Sequence, residues 1–269
     1  MSGKLFGIAF LSLFLASNTA AQVQDTINKK TPLLVGKDAL LFGAFAIGTA
    51  LVAPVDRQIA GRLQDSSTQE NRFLSTAATG LRLLGDPGSL FTGAGLYTIG
   101  RIDGQRRLQA LGLHSVESIA LSGLIGTAIK MTAGRQRPFA DIKNPYNFQL
   151  WRGFSGDKYR SFPSGHTTAA FAFASTVTRE TQFWWPHATW YIGTVFYGGA
   201  SLIGLSRIYN NQHWASDVMA GATIGTLIGL KVVKYTHSHP GNHIDQELIK
   251  GKKRSSAIQV NPVLFSIQF

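Results

Sequence analysis

The chain has 269 residues, a formal net charge of +12 and no cysteine, with 44% hydrophobic and 15% charged residues. That length supports one sizeable domain or a compact membrane bundle, and the lack of thiols excludes disulfides, thiol catalysis and cysteine-ligated metals. The positive balance favours anionic partners such as phosphoesters or acidic lipid headgroups, not nucleic acid, because the basic residues are scattered and no nucleic-acid motif occurs. Residues 1–21 carry a basic start at Lys4, an apolar core over 5–16 and the small-x-small ending Thr19-Ala20-Ala21. This is the pattern of a cleaved secretory signal, with an uncleaved anchor helix as the alternative. Residues 22–38 are polar and read as a loose arm.

Segment 39–55 has no charge and reads as a short span or a buried helix, slightly below the ~20 apolar residues a bilayer needs. Residues 56–84 read as a polar surface connection with a helical part, and Gly85-Asp86-Pro87-Gly88 as a turn. A modestly apolar stretch over 89–100 and a basic connector over 101–107 lead to a helix predicted over 108–134. Its polar stripe, His114, Ser115, Glu117, Ser118 and Ser122, is expected to meet water or other helices rather than to form a catalytic His114–Glu117 pair.

The loop over 139–162 carries Tyr146, Phe148, Trp151, Phe154 and Tyr159, which either line an entrance for an apolar substrate or pack the loop down. A helix is predicted from Gly165 to 178, followed by the aromatic cluster 183–191, similar to an interfacial belt. An apolar, glycine-thinned stretch covers 192–205. Gly221, Gly225 and Gly229, spaced by four, predict close backbone contact with a neighbouring helix. In the tail, His237, His239 and His243 could bind metal, but clustered exposed histidines without a carboxylate framework read as incidental. The basic run 250–254 suits a solvated face or an anionic-lipid contact, and 256–269 partly alternates like a terminal strand pair. The chain thus divides into a signal (1–21), an arm (22–38), a helical domain (39–236) and a basic tail (237–269).

Three stretches carry chemistry. In SRIYNNQHWASD, 206–217, a helix beginning at Trp214 puts His213 at its edge and Asp217 one turn along, close enough to hydrogen-bond the imidazole. Such a carboxylate fixes one tautomer and leaves the other nitrogen free to attack. Arg207 adds a permanent cation with planar donors suited to phosphate oxygens. In PSGHTT, 163–168, Ser164 is a candidate N-cap, Gly165 allows close approach to exposed helix-start amides, and His166 is placed to protonate a leaving group. KMTAGRQRP, 130–138, ends an apolar segment with Lys130, Arg135 and Arg137, and Pro138 stops the helix.

Lys130, six residues, Arg137-Pro138, then Pro163-Ser164-Gly165-His166, then Ser206-Arg207, five residues, His213, three residues, Asp217: this ordered set resembles the type 2 phosphatidic acid phosphatase and vanadium haloperoxidase superfamily. All three signature motifs match at every defining position, and the resemblance covers roughly 130–229. It implies an all-α bundle of about six helices with a four-helix catalytic core. It also implies Lys130, Arg137, Ser164, Gly165 and Arg207 as the phosphate cradle, His166 as general acid, His213 as nucleophile and Asp217 as its orienting partner. No metal or other cofactor is implied, because fixed cations do the electrostatic work.

The resulting expectation is a metal-independent phosphatase working through a phosphohistidine on a lipid phosphate such as phosphatidate, a polyprenyl diphosphate or a lipid A phosphate. A soluble nonspecific acid phosphatase shares the motifs. Two further readings are a haloperoxidase holding vanadate in the same cradle, which the compact chain disfavours, and a silent lipid-binding protein, which the intact motifs disfavour. The expected location is the periplasm or cell envelope in association with a membrane. An integral inner-membrane enzyme with an external site is the alternative; a cleaved signal followed by six spans would instead place the site inside.

Overall fold

The computed structural model describes residues 36–249, and among them the protein is helical, with a single β-bridge between Arg135 and Phe148. The expected signal over 1–21, most of the arm and the terminal strand pair lie outside the described residues. Six helices of fifteen residues or more build the bundle: α1 (Gly36–Val52), α5 (Ser89–Asp103), α6 (Arg106–Ala133), α7 (Gly165–Trp184), α8 (Thr189–Tyr209) and α9 (Ala215–Ser238). Shorter helices α2 (Asp56–Leu63), α3 (Ser66–Gln69) and α4 (Arg72–Leu83) join α1 to α5, and α10 (His243–Leu248) follows α9.

Local chemistry sets several ends. Asn71 caps α4 by accepting the Leu74 N–H at 3.2 Å. α6 stops at Gly134, whose φ of 57° is left-handed and whose backbone is so close to the Gln149 carbonyl that a Cβ would sit 1.8 Å from it. At the start of α9, Asp217 reaches back to accept the Trp214 N–H at 2.8 Å, half of a capping box.

α7 is the central helix because its alanines and threonines leave room on every side. Leu111 and Ile119 of α6 pack on Ala169, Phe173 and Val177; on the opposite face Ala200 and Ile203 of α8 and Ala222 of α9 close over Ala170, Phe171 and Ala174. The predicted glycine ridge of α9 is the tightest seam of the bundle. A Cβ on Gly221 would stand 2.6 Å from the Ser164 carbonyl, on Gly225 2.3 Å from the Thr168 carbonyl and on Gly229 1.9 Å from the Ser175 hydroxyl. All three glycines therefore press α9 backbone to backbone against α7.

Other expectations change. The stretch 56–84 forms three helices rather than a mainly open connection, and its Asp56 is fully buried. The 85–88 turn is a kinked helical junction in which Asp86 has extended backbone (φ −147°, ψ 120°). The polar stripe of α6 meets other helices, as its sequence suggested: His114, Ser115, Ser118 and Ser122 are buried, and Ser118 accepts a hydrogen bond from Thr176 of α7 at 2.8 Å. Part of the tail is ordered helix, since α9 continues to Ser238 and α10 follows.

Outside, the bundle is apolar. Leu40, Ile47 and Leu51 on α1, Phe91 and Ile102 on α5 and Leu124 on α6 are all more than 60% exposed. Asp38–Leu63, Arg106–Ala133 and Ala215–Ser238 are long and apolar enough to cross a membrane. Apolar surface on this scale needs a nonaqueous neighbour, and these features mark a membrane protein.

Candidate active site

The three motif stretches meet at one end of the bundle. Lys130 comes from the last turn of α6, Arg137 from the loop after it, Ser164 to His166 from the start of α7, Arg207 from the end of α8, and His213 from the turn before α9. Helix ends collect there because alternate helices run in opposite directions, so one end gathers the C-termini of α6 and α8 with the N-termini of α7 and α9.

His213 is buried, and its Nδ1 donates to the Ser161 carbonyl at 2.7 Å. A carbonyl can only accept, so the proton is fixed on Nδ1 and Nε2 keeps its lone pair. Burial, reinforced by Lys130 and Arg137, pulls the His213 pKa down to about 3, so the ring is neutral. Asp217 does not hydrogen-bond the ring as the spacing suggested: Nδ1 and Oδ2 are 3.8 Å apart. Its carboxylate is taken by three other donors, Arg135 at 2.6 Å, the Ser161 hydroxyl at 2.5 Å and the Trp214 N–H. Asp217 therefore acts on His213 through Ser161 and Trp214, fixing the backbone on both sides of the imidazole.

Arg135, one of three cations in its stretch, proves to be structural. It is 2% exposed and bridges Asp217 to Asp56, with a 2.9 Å bond to the latter. Asp56 in turn accepts the Ser216 N–H at 2.9 Å. A buried guanidinium between two buried carboxylates is fully paired and has no donor left for a ligand of the site.

Arg207 is the opposite case. It is 5% exposed, and its Nε and Nη1 are buried without any hydrogen-bond partner. Leaving such donors unmet costs on the order of 1–3 kcal/mol each, which points to an anion at this place. Beside it a cavity of about 330 Å³ is lined by Thr79, Arg82, Arg207, Asn210 and Gln212. Arg137 is 8% exposed and held in position by the Asp157 side chain at 2.9 Å and the Gln212 side chain at 2.7 Å. Lys130 Nζ lies 3.8 Å from where a Cβ on Gly165 would be, which places the ammonium beside the start of α7.

Ser164 occupies the N-cap position of α7 without capping by its side chain. Its hydroxyl accepts from Thr167 at 2.8 Å, which leaves its own proton to donate to a ligand. His166, in the first turn of α7, has its pKa lowered to about 3 by burial and by Arg207 and Lys130. All eight residues singled out in the sequence thus contribute to this end of the bundle, with Asp217 one step behind the ring. Sequence reasoning missed Ser161, whose role is played largely by its main chain. It also missed the Asp56–Arg135 pair, separated by 79 positions, and Arg82, which brings a cation to the mouth from a helix with no motif.

These features define a class: a helical-bundle protein whose helix ends gather Lys130, Arg137 and Arg207 around a neutral, tautomer-fixed histidine. Residues 111–239 match the sequence profile of the PAP2 superfamily, and this part of the chain belongs to that family. It is 39% identical over 111 residues to a lipid A 1-phosphatase of Porphyromonas gingivalis, a match covering 41% of this chain and 20% of that one. It is 27% identical over 143 residues to an undecaprenyl-diphosphatase of Sulfolobus acidocaldarius, covering 53% of this chain and 64% of the relative. The chain therefore spans less than two thirds of the length of either relative. Among solved structures, a transmembrane PAP2-type phosphatidylglycerolphosphate phosphatase from Bacillus subtilis shares the fold. Its TM-score is 0.57 at 20% identity, covering 75% of this chain and 96% of the other.

Proposed function

We propose that this protein is a membrane phosphatase that removes phosphate from a lipid phosphate or diphosphate through a phosphohistidine on His213. The observation that carries the reading is the pair of unmatched, buried guanidinium donors on Arg207 in the same end of the bundle as a neutral His213 with Nε2 free. In the first step Nε2 forms the N–P bond while the P–O bond to the leaving group breaks. His166 gives its proton to the departing alkoxide, and Lys130, Arg137, Arg207, the Ser164 hydroxyl and the Gly165 amide hold the phosphoryl oxygens. In the second step neutral His166 takes a proton from water as the water oxygen bonds to phosphorus and the N–P bond breaks, releasing phosphate and returning the lone pair to His213 Nε2. The fixed cations meet the charge on the equatorial oxygens, so the chemistry has no need of a metal.

A lipid substrate is favoured by the apolar exterior and by Tyr146, Phe148, Trp151 and Phe154, each 47–64% exposed on the loop between the first two motifs. The names of the relatives, lipid A 1-phosphatase and undecaprenyl-diphosphatase, support the same substrate class. Arg101, Arg106 and Arg107 lie at the bundle end away from the site, the arrangement that orients the active site to the outer side of the membrane under the positive-inside tendency.

The test is phosphate release by purified protein from lipid A 1-phosphate, undecaprenyl diphosphate, phosphatidate and p-nitrophenyl phosphate side by side, with His213→Ala as blank. Preference for one of the lipids is expected. Equal or better turnover of the soluble ester would replace this reading with a nonspecific phosphatase, and peroxide-dependent halide oxidation with added vanadate would replace it with a haloperoxidase.

A further inference from the structure

A second cluster of ionisable groups lies at the other end of the bundle. His114 is sixteen residues before Lys130 on α6, about 24 Å along the helix axis. Its Nδ1 donates to Glu180 of α7 at 2.5 Å, and Glu180 also lies 3.0 Å from Nε2 of His237 on α9. Its other nitrogen, Nε2, faces Asp245 of α10 at 3.3 Å. Glu117, nearly one turn along α6, completes a group in which the ligating atoms of His114, Glu117 and Asp245 all lie within 4.8 Å of one another.

We propose that His114 Nε2, Glu117 and Asp245 bind one divalent transition-metal ion of the Zn²⁺ class, which fastens α10 to the bundle. Tetrahedral donors at ~2.1 Å from zinc are about 3.4 Å apart, and the His114–Asp245 pair already has that separation. The imidazole is prepared as a ligand, because Glu180 on Nδ1 fixes its tautomer and aims Nε2 at the site, the carboxylate–histidine–metal arrangement. Glu180 is itself anchored by His237.

Charge supports an ion as well. Three carboxylates, Glu117, Glu180 and Asp245, face two imidazoles, so the ligating cluster itself holds more acids than bases, while Arg106 and Arg107 line the cavity beside it without pairing to any of the three. Among the described residues Glu117 has no hydrogen bond, and no arginine or lysine forms an ion pair with any of the three. A cavity of about 510 Å³ reaches His114, Glu180, His237 and Asp245, giving the ion an entry and water a fourth coordination position. One imidazole with two carboxylates suits zinc or manganese better than the harder magnesium or calcium. α10 has otherwise few ties to the bundle, chiefly the Leu248 carbonyl accepting from the Tyr97 hydroxyl at 3.1 Å and from Arg101 at 3.2 Å.

Full-length protein, freed of any affinity tag and stripped with a chelator, would be titrated with Zn²⁺ against a chromophoric competitor while its melting temperature is followed. The expected result is one ion per chain and a higher melting temperature. Affinity should fall at least tenfold in Asp245→Asn and in Glu117→Gln, and about 10- to 100-fold in Glu180→Gln. Asp245 is partly exposed on a short helix, so its variant remains folded if the others do not. A His239→Ala/His243→Ala variant separates this site from adventitious binding and should keep the ion. Zinc binding unchanged in Asp245→Asn, or lost with His239 and His243 alone, would overturn the proposal. So would no binding at all, leaving a protonated His114 clamped between carboxylates.

Discussion

The two ends of the bundle use the same residue type in opposite surroundings. At the candidate active-site end, His213 is buried and His166 half-buried among Lys130, Arg137 and Arg207, and both are neutral. At the far end His114 is enclosed by Glu180 and Asp245 with Glu117 nearby. The rings at the first end face cations, whereas His114 at the second faces carboxylates, with Arg106 and Arg107 lining the cavity beside them. An imidazole's surroundings here are set less by its sequence neighbours than by which helix ends meet around it: one environment leaves a nitrogen lone pair facing cations, the other turns a nitrogen toward a carboxylate.

The largest test of this contrast is His213→Ala, which should lower turnover by at least about 10⁴-fold, since a covalent mechanism has no substitute for its nucleophile. Turnover within tenfold of wild type would remove His213 from that role. Within the catalytic end, paired and unpaired arginines should then behave differently. Arg135→Met leaves Asp56 and Asp217 as buried charges without their cation and should destabilise the protein by about 3–5 kcal/mol in chemical denaturation. Arg207→Met should instead leave the melting temperature unchanged or higher, because it removes unmet donors, while lowering kcat/KM by about 10²–10³-fold. Equal losses of stability in the two variants would erase the distinction between structural and ligand-directed cations.

The smallest effect concerns pH. His166 is neutral because burial and the cations Arg207 and Lys130 hold its pKa to about 3. A bound phosphate dianion places opposite charge beside the ring and raises that pKa. As general acid, His166 must be protonated in the complex, so kcat should fall as pH rises through the raised value. His166→Ala should lose this basic limb and suffer most with poor leaving groups. The same limb in the variant, or equal losses for good and poor leaving groups, would assign the acid role elsewhere.

Much of the catalytic end was legible in the sequence because each motif is local. A proline ends one helix beside Arg137, a serine-glycine pair starts another beside His166, and three residues separate His213 from Asp217. Each is a short-range device that survives in any fold that keeps the helices. The glycine ridge was legible for the same reason, as a four-residue period that admits a close neighbour. The spacing misled at Asp217, where one helical turn brings the carboxylate near the ring but the stronger donors, Arg135 and Ser161, come from other elements and take its oxygens.

Residue order by itself determined the helical class and brought the three motif stretches to helix starts and stops, since these depend on local signals and side-chain type. Tertiary packing alone decided which cations are spent and which are free. It joined Asp56 to Arg135 across 79 positions and left Arg207 unmatched. It also joined His114, Glu180, His237 and Asp245, which lie on four separate helices. Charge pairing depends on distance in space, and in a bundle that distance is set by which helix faces touch, information that no local pattern along the chain contains.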